Sequence, residues 1–225
     1  MRTTLQNVRE AFYDATFFVT PKQFYQVFTI FALIANNIFL AIPVLMTSKT
    51  EYLYEGVLRK IQQEIPLFMP EKGMSDFELA SRNAMKLVFP NISLSGCSFH
   101  FLQAVLRNAR VIGLTNAFRT NPVFKALFKR LMNIHYLPEN HIGPMFDLIS
   151  NEESGLQGDY EKKMWKKLLK YFRRFWIELI GPQEFSVFAP EIKHGVLFPA
   201  VIYAAELALK LSFSAQTHVQ FAVVK

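Results

Sequence analysis

The stretch FTIFALIANNIFLAIPVLM, residues 28–46, runs 19 residues without a charged side chain. That is near the length at which an apolar helix spans a bilayer. Its interior argues against a span. Asn36-Asn37 falls in the middle, Pro43 near the end, and the flanks are β-branched and aromatic. Asn tolerates the positive φ of a tight turn, so the pattern predicts two buried antiparallel strands over residues 25–33 and 38–45.

Upstream, residues 10–19 carry Phe12, Phe17 and Val19 in an alternating, bulky pattern that Thr20-Pro21 stops. Three strands joined by short turns predict an antiparallel meander. Downstream, Tyr52, Leu53, Val57 and Ile61 repeat at helical spacing over residues 49–64, and Pro66 ends the helix. A short extended piece, residues 67–69, leads through Pro70-Glu71-Lys72-Gly73 to Asp76. Asp76 is placed to cap a helix over 77–89 with Leu79, Ala80, Asn83, Ala84, Leu87 and Val88 inward. Pro90 closes that helix, residues 91–95 read as a fifth strand, and a further helix runs from the Gly96–His100 turn to about Val111.

Residues 116–180 read as helix and turn throughout. The strongest element is 159–180, with Trp165, Leu168, Leu169, Phe172, Trp176 and Leu179 on one stripe. Lys162, Lys163, Lys166, Lys167, Lys170, Arg173 and Arg174 crowd its other sides, and Gly181-Pro182 stops it. Residues 213–225 read as a strand or a frayed end. The order of elements predicts an α/β fold: an RNase H-like mixed five-stranded sheet with flanking helices and an all-helical insertion. The divisions are 1–96 for the core, 97–182 for the insertion and 183–225 for a divergent tail.

Of the net charge of +7, residues 101–180 carry +6, from 13 Lys/Arg against 7 Asp/Glu. A local excess of this kind suits a polyanion surface. Its candidates are Arg107, Arg110, Lys125, Lys129, Arg130, Lys163, Lys166, Lys167, Lys170, Arg173 and Arg174. One cysteine excludes an internal disulfide and any all-cysteine zinc site. It also suits a reduced, intracellular setting. The start, Met1-Arg2-Thr3-Thr4-Leu5-Gln6, lacks the apolar run of a signal peptide.

Two acids stand beside runs that should be buried: Asp14 in FYDATFFV and Asp76 in MSDFE. Burying a carboxylate is unfavourable unless a positive group neutralises it. If both reach one point, a divalent metal is the natural neutraliser, and phosphoryl transfer on nucleic acid follows.

Laid out in order, these segments resemble the MULE transposase domain of Mutator-like elements. Asp14-Ala15-Thr16-Phe17 stands where that family has Asp-Gly-Thr-Phe. Pro43-Val44-Leu45-Met46, Lys49-Thr50-Glu51-Tyr52, Asp76-Phe77-Glu78, Phe89-Pro90, the Gly96–Ala104 block and Leu137-Pro138 follow. The likeness covers roughly residues 10–188. It implies a DDE-type enzyme that cleaves and transfers DNA strands in the nucleus with Mg²⁺ or Mn²⁺. Asp14 and Asp76 would be the first two metal-holding acids.

Cys97 and His100 match the family's Cys-x2-His element, which implies contact with a base or phosphate, or simple packing. One Cys and one His cannot complete a tetrahedral zinc site, so no structural zinc is expected. The family's third acid, a glutamate in an Asn-Asn and His context, has no counterpart. Glu191 and Glu206 lie in the right region without matching surroundings, and the tail reads as truncated or replaced. Weak or absent turnover is therefore expected. The alternative is a non-catalytic DNA-binding or interaction module. DNA is the expected partner, with homo-oligomers left open and no membrane or small-molecule substrate.

Overall fold

The computed structural model describes residues 5–16, 20–152, 156, 158–187 and 222–224. They fall into two compact units, residues 1–94 with 196–225, and residues 95–195.

In the first unit, β1 (Glu10–Thr16), β2 (Gln26–Ile34) and β3 (Asn37–Met46) form the expected antiparallel meander. Residues 28–46 are thus a hairpin, and no helix among the described residues is long and apolar enough to cross a membrane. The turn sits one residue earlier than the Asn pair suggests. Ala35 (φ 49°) and Asn36 (φ 63°) are its central residues, and Asn37 opens β3. Positive φ at both positions is the type I′ geometry whose twist matches the flanking strands. The β1 strand ends at Thr16, and the rest of its expected extent, 17–19, lies outside the described residues.

The fourth strand differs from expectation. It is β4 (Lys72–Ser75), not the 67–69 piece. It lies parallel to β1, with Glu10 opposite Lys72, Ala11 opposite Gly73 and Phe12 opposite Met74. Gly73 permits the close approach: a Cβ there would come within 2.6 Å of Leu94 Cδ2 and 2.9 Å of Ile92 Cδ1. Beyond β4 lies β5 (Ser93–Gly96), and the sheet order is β5-β4-β1-β2-β3. The expected five strands gain a sixth, β6 (Ala222–Val224), parallel to β3. The rest of the tail expectation, with Glu191 and Glu206, lies outside the described residues.

Helices α1 (Glu51–Glu64) and α2 (Leu79–Val88) pack with one sheet face. Thr50 caps α1, its Oγ1 accepting from the Leu53 N–H. Tyr13, Phe28, Ile30, Tyr54, Val57, Leu58, Met85 and Phe89 share this core. The helical phases are rotated from expectation. Tyr52 is 85 % exposed while Tyr54 is buried. In α2, Leu79, Asn83 and Leu87 are exposed, and Ser81, Arg82, Ala84, Met85 and Val88 face in. The reason is polar: a buried Arg82 bonds back to β4 (below), and that bond sets which side of the helix turns inward.

The second unit is helical. It holds α3 (Ser98–Ile112), α4 (Thr115–Thr120), α5 (Pro122–Asn133), α6 (Glu139–Asn151), α7 (Asp159–Phe172) and α8 (Pro182–Phe185). Its core is aromatic: Phe101 stacks on Phe185 at 5.2 Å and meets Trp176 edge-on at 4.7 Å. The single helix expected over 159–180 changes character at Arg173, where a π-helix, Arg173–Ile180, begins. Its wider i→i+5 turn leaves Ile180 buried and Leu179 exposed, the reverse of an uninterrupted α stripe.

Candidate functional site

The β1–β4 pairing decides where the two acids stand. Side chains alternate faces along a strand, so Asp14 shares the face of Phe12. That face is opposite the one carrying Ala11 and Tyr13 into the α1–α2 core. Asp14 is buried at 7 % exposure and lies opposite Thr29 of β2. The register ends at Phe12 and Met74. Asp14 lies two residues further along β1, and Asp76 comes one residue after the end of β4. Both acids therefore lie beyond the last paired residues of β1 and β4, on the side toward the strands' carboxyl ends.

Asp76 does not cap the following helix directly. Its Oδ1 accepts from the Glu78 N–H at 3.1 Å, an Asx turn two residues ahead of α2, and Glu78 holds the N-cap position. Arg82, only 3 % exposed, fixes the same turn. Its Nη1 donates to Ser75 Oγ at 2.9 Å and to the Asp76 carbonyl at 3.3 Å, and its guanidinium lies 5.9 Å from the Phe77 ring.

Glu78 was not singled out by sequence, yet it is electrostatically coupled to Asp76. Burial, then the charge of Asp76, hold its carboxyl above the usual range, against Lys49 and a hydrogen bond with Tyr54. Lys49 Nζ lies 3.9 Å from its Oε2. Tyr54, its own hydroxyl pushed up chiefly by burial, accepts from Gln26 Nε2 at 2.6 Å. The hydroxyl of Thr16, on the same β1 face as Asp14, is buried with no hydrogen-bond partner among the described residues. Arg82 and Glu78 follow Asp76 closely in sequence, so charged residues near the acid were the available signal. Gln26 and Tyr54 offered none, because their meeting depends on how α1 lies on the sheet.

Two carboxylates at one sheet end are hard oxygen donors suited to a small divalent cation. Such cations use one or two carboxylates and complete their shell with substrate phosphate and water. Among the described residues no group of three or more His, Cys, Asp or Glu side chains is gathered for a metal.

The other expected positions lie in the second unit. Cys97 is buried and holds the N-cap position of α3, with His100 in the first turn, half-buried and edge-on to Phe99 at 5.5 Å. Arg107 and Arg110 are exposed on α3, and Lys125, Lys129 and Arg130 on α5. Arg130 pairs with Glu152. Arg173 pairs with Asp147 at 2.6 Å and lies over the Phe146 ring at 4.8 Å. Lys163, Lys166, Lys167 and Lys170 are exposed along α7, and Arg174 follows on the π-helix. Arg130 and Arg173 are therefore paired with acids, while Lys163, Lys166, Lys167 and Lys170 form a ridge along α7.

Residues 11–104 match the family described as the MULE transposase domain. The match takes in β1 to the first turns of α3, with Asp14, Asp76, Cys97 and His100, and stops short of the basic helices. No curated protein matches the chain.

Proposed function

We propose that residues 11–104 are the acid-bearing part of a Mutator-like DNA transposase core with an RNase H-like sheet, working on DNA in the nucleus. The observation that carries this reading is the parallel β1–β4 pairing, with Asp14 and Asp76 both just beyond its last paired residues and within the family match. The sheet order, with an antiparallel β1–β2–β3 meander and β4 parallel to β1, supports the RNase H-like assignment.

Asp14 and Asp76 would hold Mg²⁺ or Mn²⁺. Such an ion, when bound, stabilises the charge that builds on phosphate oxygens during transfer. The chain's own contribution is positioning. Arg82 and the Asx turn hold the backbone of Asp76 beside β1. Glu78, held above the usual carboxyl range, lowers the negative charge beside Asp76 when it carries its proton.

The test is Mg²⁺-dependent nicking of supercoiled DNA by the full chain. Asp14→Asn and Asp76→Asn each abolish it on this reading. If the wild-type chain leaves every DNA intact at all Mg²⁺ and Mn²⁺ concentrations, the catalytic half is lost.

A second reading, a non-catalytic DNA-binding module built on the same scaffold, is favoured by one observation. No third acid joins the pair among the described residues. Under it, the two Asn variants leave DNA affinity unchanged and there is no nicking to lose.

A further inference from the structure

Several cations among the described residues pair with an acid. Arg9 pairs with Glu71, Arg59 with Glu55, Lys60 with Glu64, Arg130 with Glu152 and Arg173 with Asp147. On α7 and the π-turn after it the pattern breaks. Among the described residues no acid pairs with Lys162, Lys163, Lys167, Lys170 or Arg174. Of the two acids in the first turn of α7, Asp159 and Glu161, the second accepts from Asn121 Nδ2 at 2.8 Å.

Their spacing makes a surface. Lys163, Lys167, Lys170 and Arg174 follow i, i+4, i+7, i+11, a single stripe about 16 Å long. Lys162 and Lys166 form a second row about 100° around the helix. From this geometry we infer that the α7 ridge is a sequence-blind clamp for the phosphate backbone of a nucleic-acid duplex. It rests on the nucleic-acid reading above and adds where, and how, the duplex is held.

Three observations select this occupant. First, the basic arc carries no Asn, Gln, Ser or Thr to read base edges. Contacts from lysine rows to phosphates fix position without reading sequence. Second, single strands need exposed rings for stacking. The exposed ring of α7, Tyr160, sets its hydroxyl against Gly113, 2.9 Å from where a Cβ there would be. Third, an anionic membrane would engage a basic helix through its apolar side. Here Met164, Trp165, Leu168, Leu169 and Phe172 are buried in the core of their unit and unavailable.

The test is fluorescence anisotropy of the full chain on two labelled duplexes of equal length and unrelated sequence, over a salt series. The two affinities should agree within about twofold, and log K should fall against log[salt] with a slope of about −4. The quadruple variant K163Q/K167Q/K170Q/R174Q should flatten that slope by about 3 to 4 and weaken binding at least tenfold, with an unchanged circular dichroism spectrum. Asp14→Asn/Asp76→Asn should bind as the wild type does. A wild-type chain that binds the duplex but never nicks it therefore sinks the catalytic reading alone. Three results overturn the clamp: unchanged duplex binding by the quadruple variant, a strong preference for one duplex, or binding to phosphatidylserine vesicles in place of duplex.

Discussion

Phe12 of β1 is paired with Met74 of β4 in parallel register, the last pair of the two strands; Asp14 follows two residues on within β1, and Asp76 two residues on, just past the end of β4. A slip of one residue would turn one acid toward the α1–α2 core. The site is therefore only as well defined as this pairing.

If the two acids share a cation, Mg²⁺ should raise the thermal stability of the wild-type chain by about 1–3 kcal/mol at concentrations well above its Kd. Asp14→Asn and Asp76→Asn should each remove that increment, and the double variant should lose no more than either single one. Calorimetry with and without Mg²⁺ measures this. Independent, additive losses would place the acids on separate ions.

Gly73→Ala brings a methyl group to 2.6 Å from Leu94 Cδ2 and 2.9 Å from Ile92 Cδ1, so those side chains must shift or β4 must move. The expected loss is about 1–3 kcal/mol by urea unfolding, typical of overpacking. The Mg²⁺ increment should shrink with it. A stable Gly73→Ala protein with full Mg²⁺ response would show that the strand spacing does not govern the site.

Ala35 occupies a left-handed position where a side chain is strained. Ala35→Gly should stabilise the chain by about 0.5–1 kcal/mol, the relief of strain exceeding the added chain entropy of glycine. Equal or lower stability in urea melts would remove the type I′ argument.

His135 is fully buried, with Nδ1 2.8 Å from the Met132 carbonyl, which can only accept. The proton therefore sits on Nδ1. Nε2 has no hydrogen-bond partner among the described residues, and burial holds the ring down to about 4. The unfolded chain takes up a proton near pH 6.5 that the folded chain refuses until about 4. Stability should be full above that window and fall with pH inside it, by up to about 1.4 kcal/mol per pH unit. His135→Leu should flatten the slope. Equal slopes in both proteins would mean another group carries it.

Glu78 has the opposite sign. Its carboxyl is raised, so the folded state holds a proton that the unfolded state releases. Its contribution is complete below the ordinary carboxyl range and is lost as pH rises through the folded value. Glu78→Gln should therefore be more stable than the wild type at neutral pH, and the gain should vanish in acid. A destabilised Gln variant at pH 7 would assign the carboxylate a structural bond.

Much of this was readable along the chain because it is local. Charge-free, β-branched runs broken at an asparagine pair make a hairpin wherever they occur, and acids set against buried runs stand out by composition alone. The lysines of α7 were equally plain, since helical spacing is a property of consecutive residues. Other features were not legible. The phase of α2 follows from Arg82 reaching Ser75, and the exposure of Leu179 from a π-turn that no residue pattern announces.

What the sequence determined by itself was the identity of the two acids, the meander that carries the first, and the basic stretch of 159–174. What only the tertiary structure decided was that β4 lies parallel to β1, and that Gln26, Tyr54 and Glu78 meet near Asp76. Periodicity fixes which face a side chain takes within its own strand. The alignment of two distant strands depends on packing that exists only once the sheet has formed, as at Gly73, where a Cβ would meet Leu94 Cδ2 and Ile92 Cδ1.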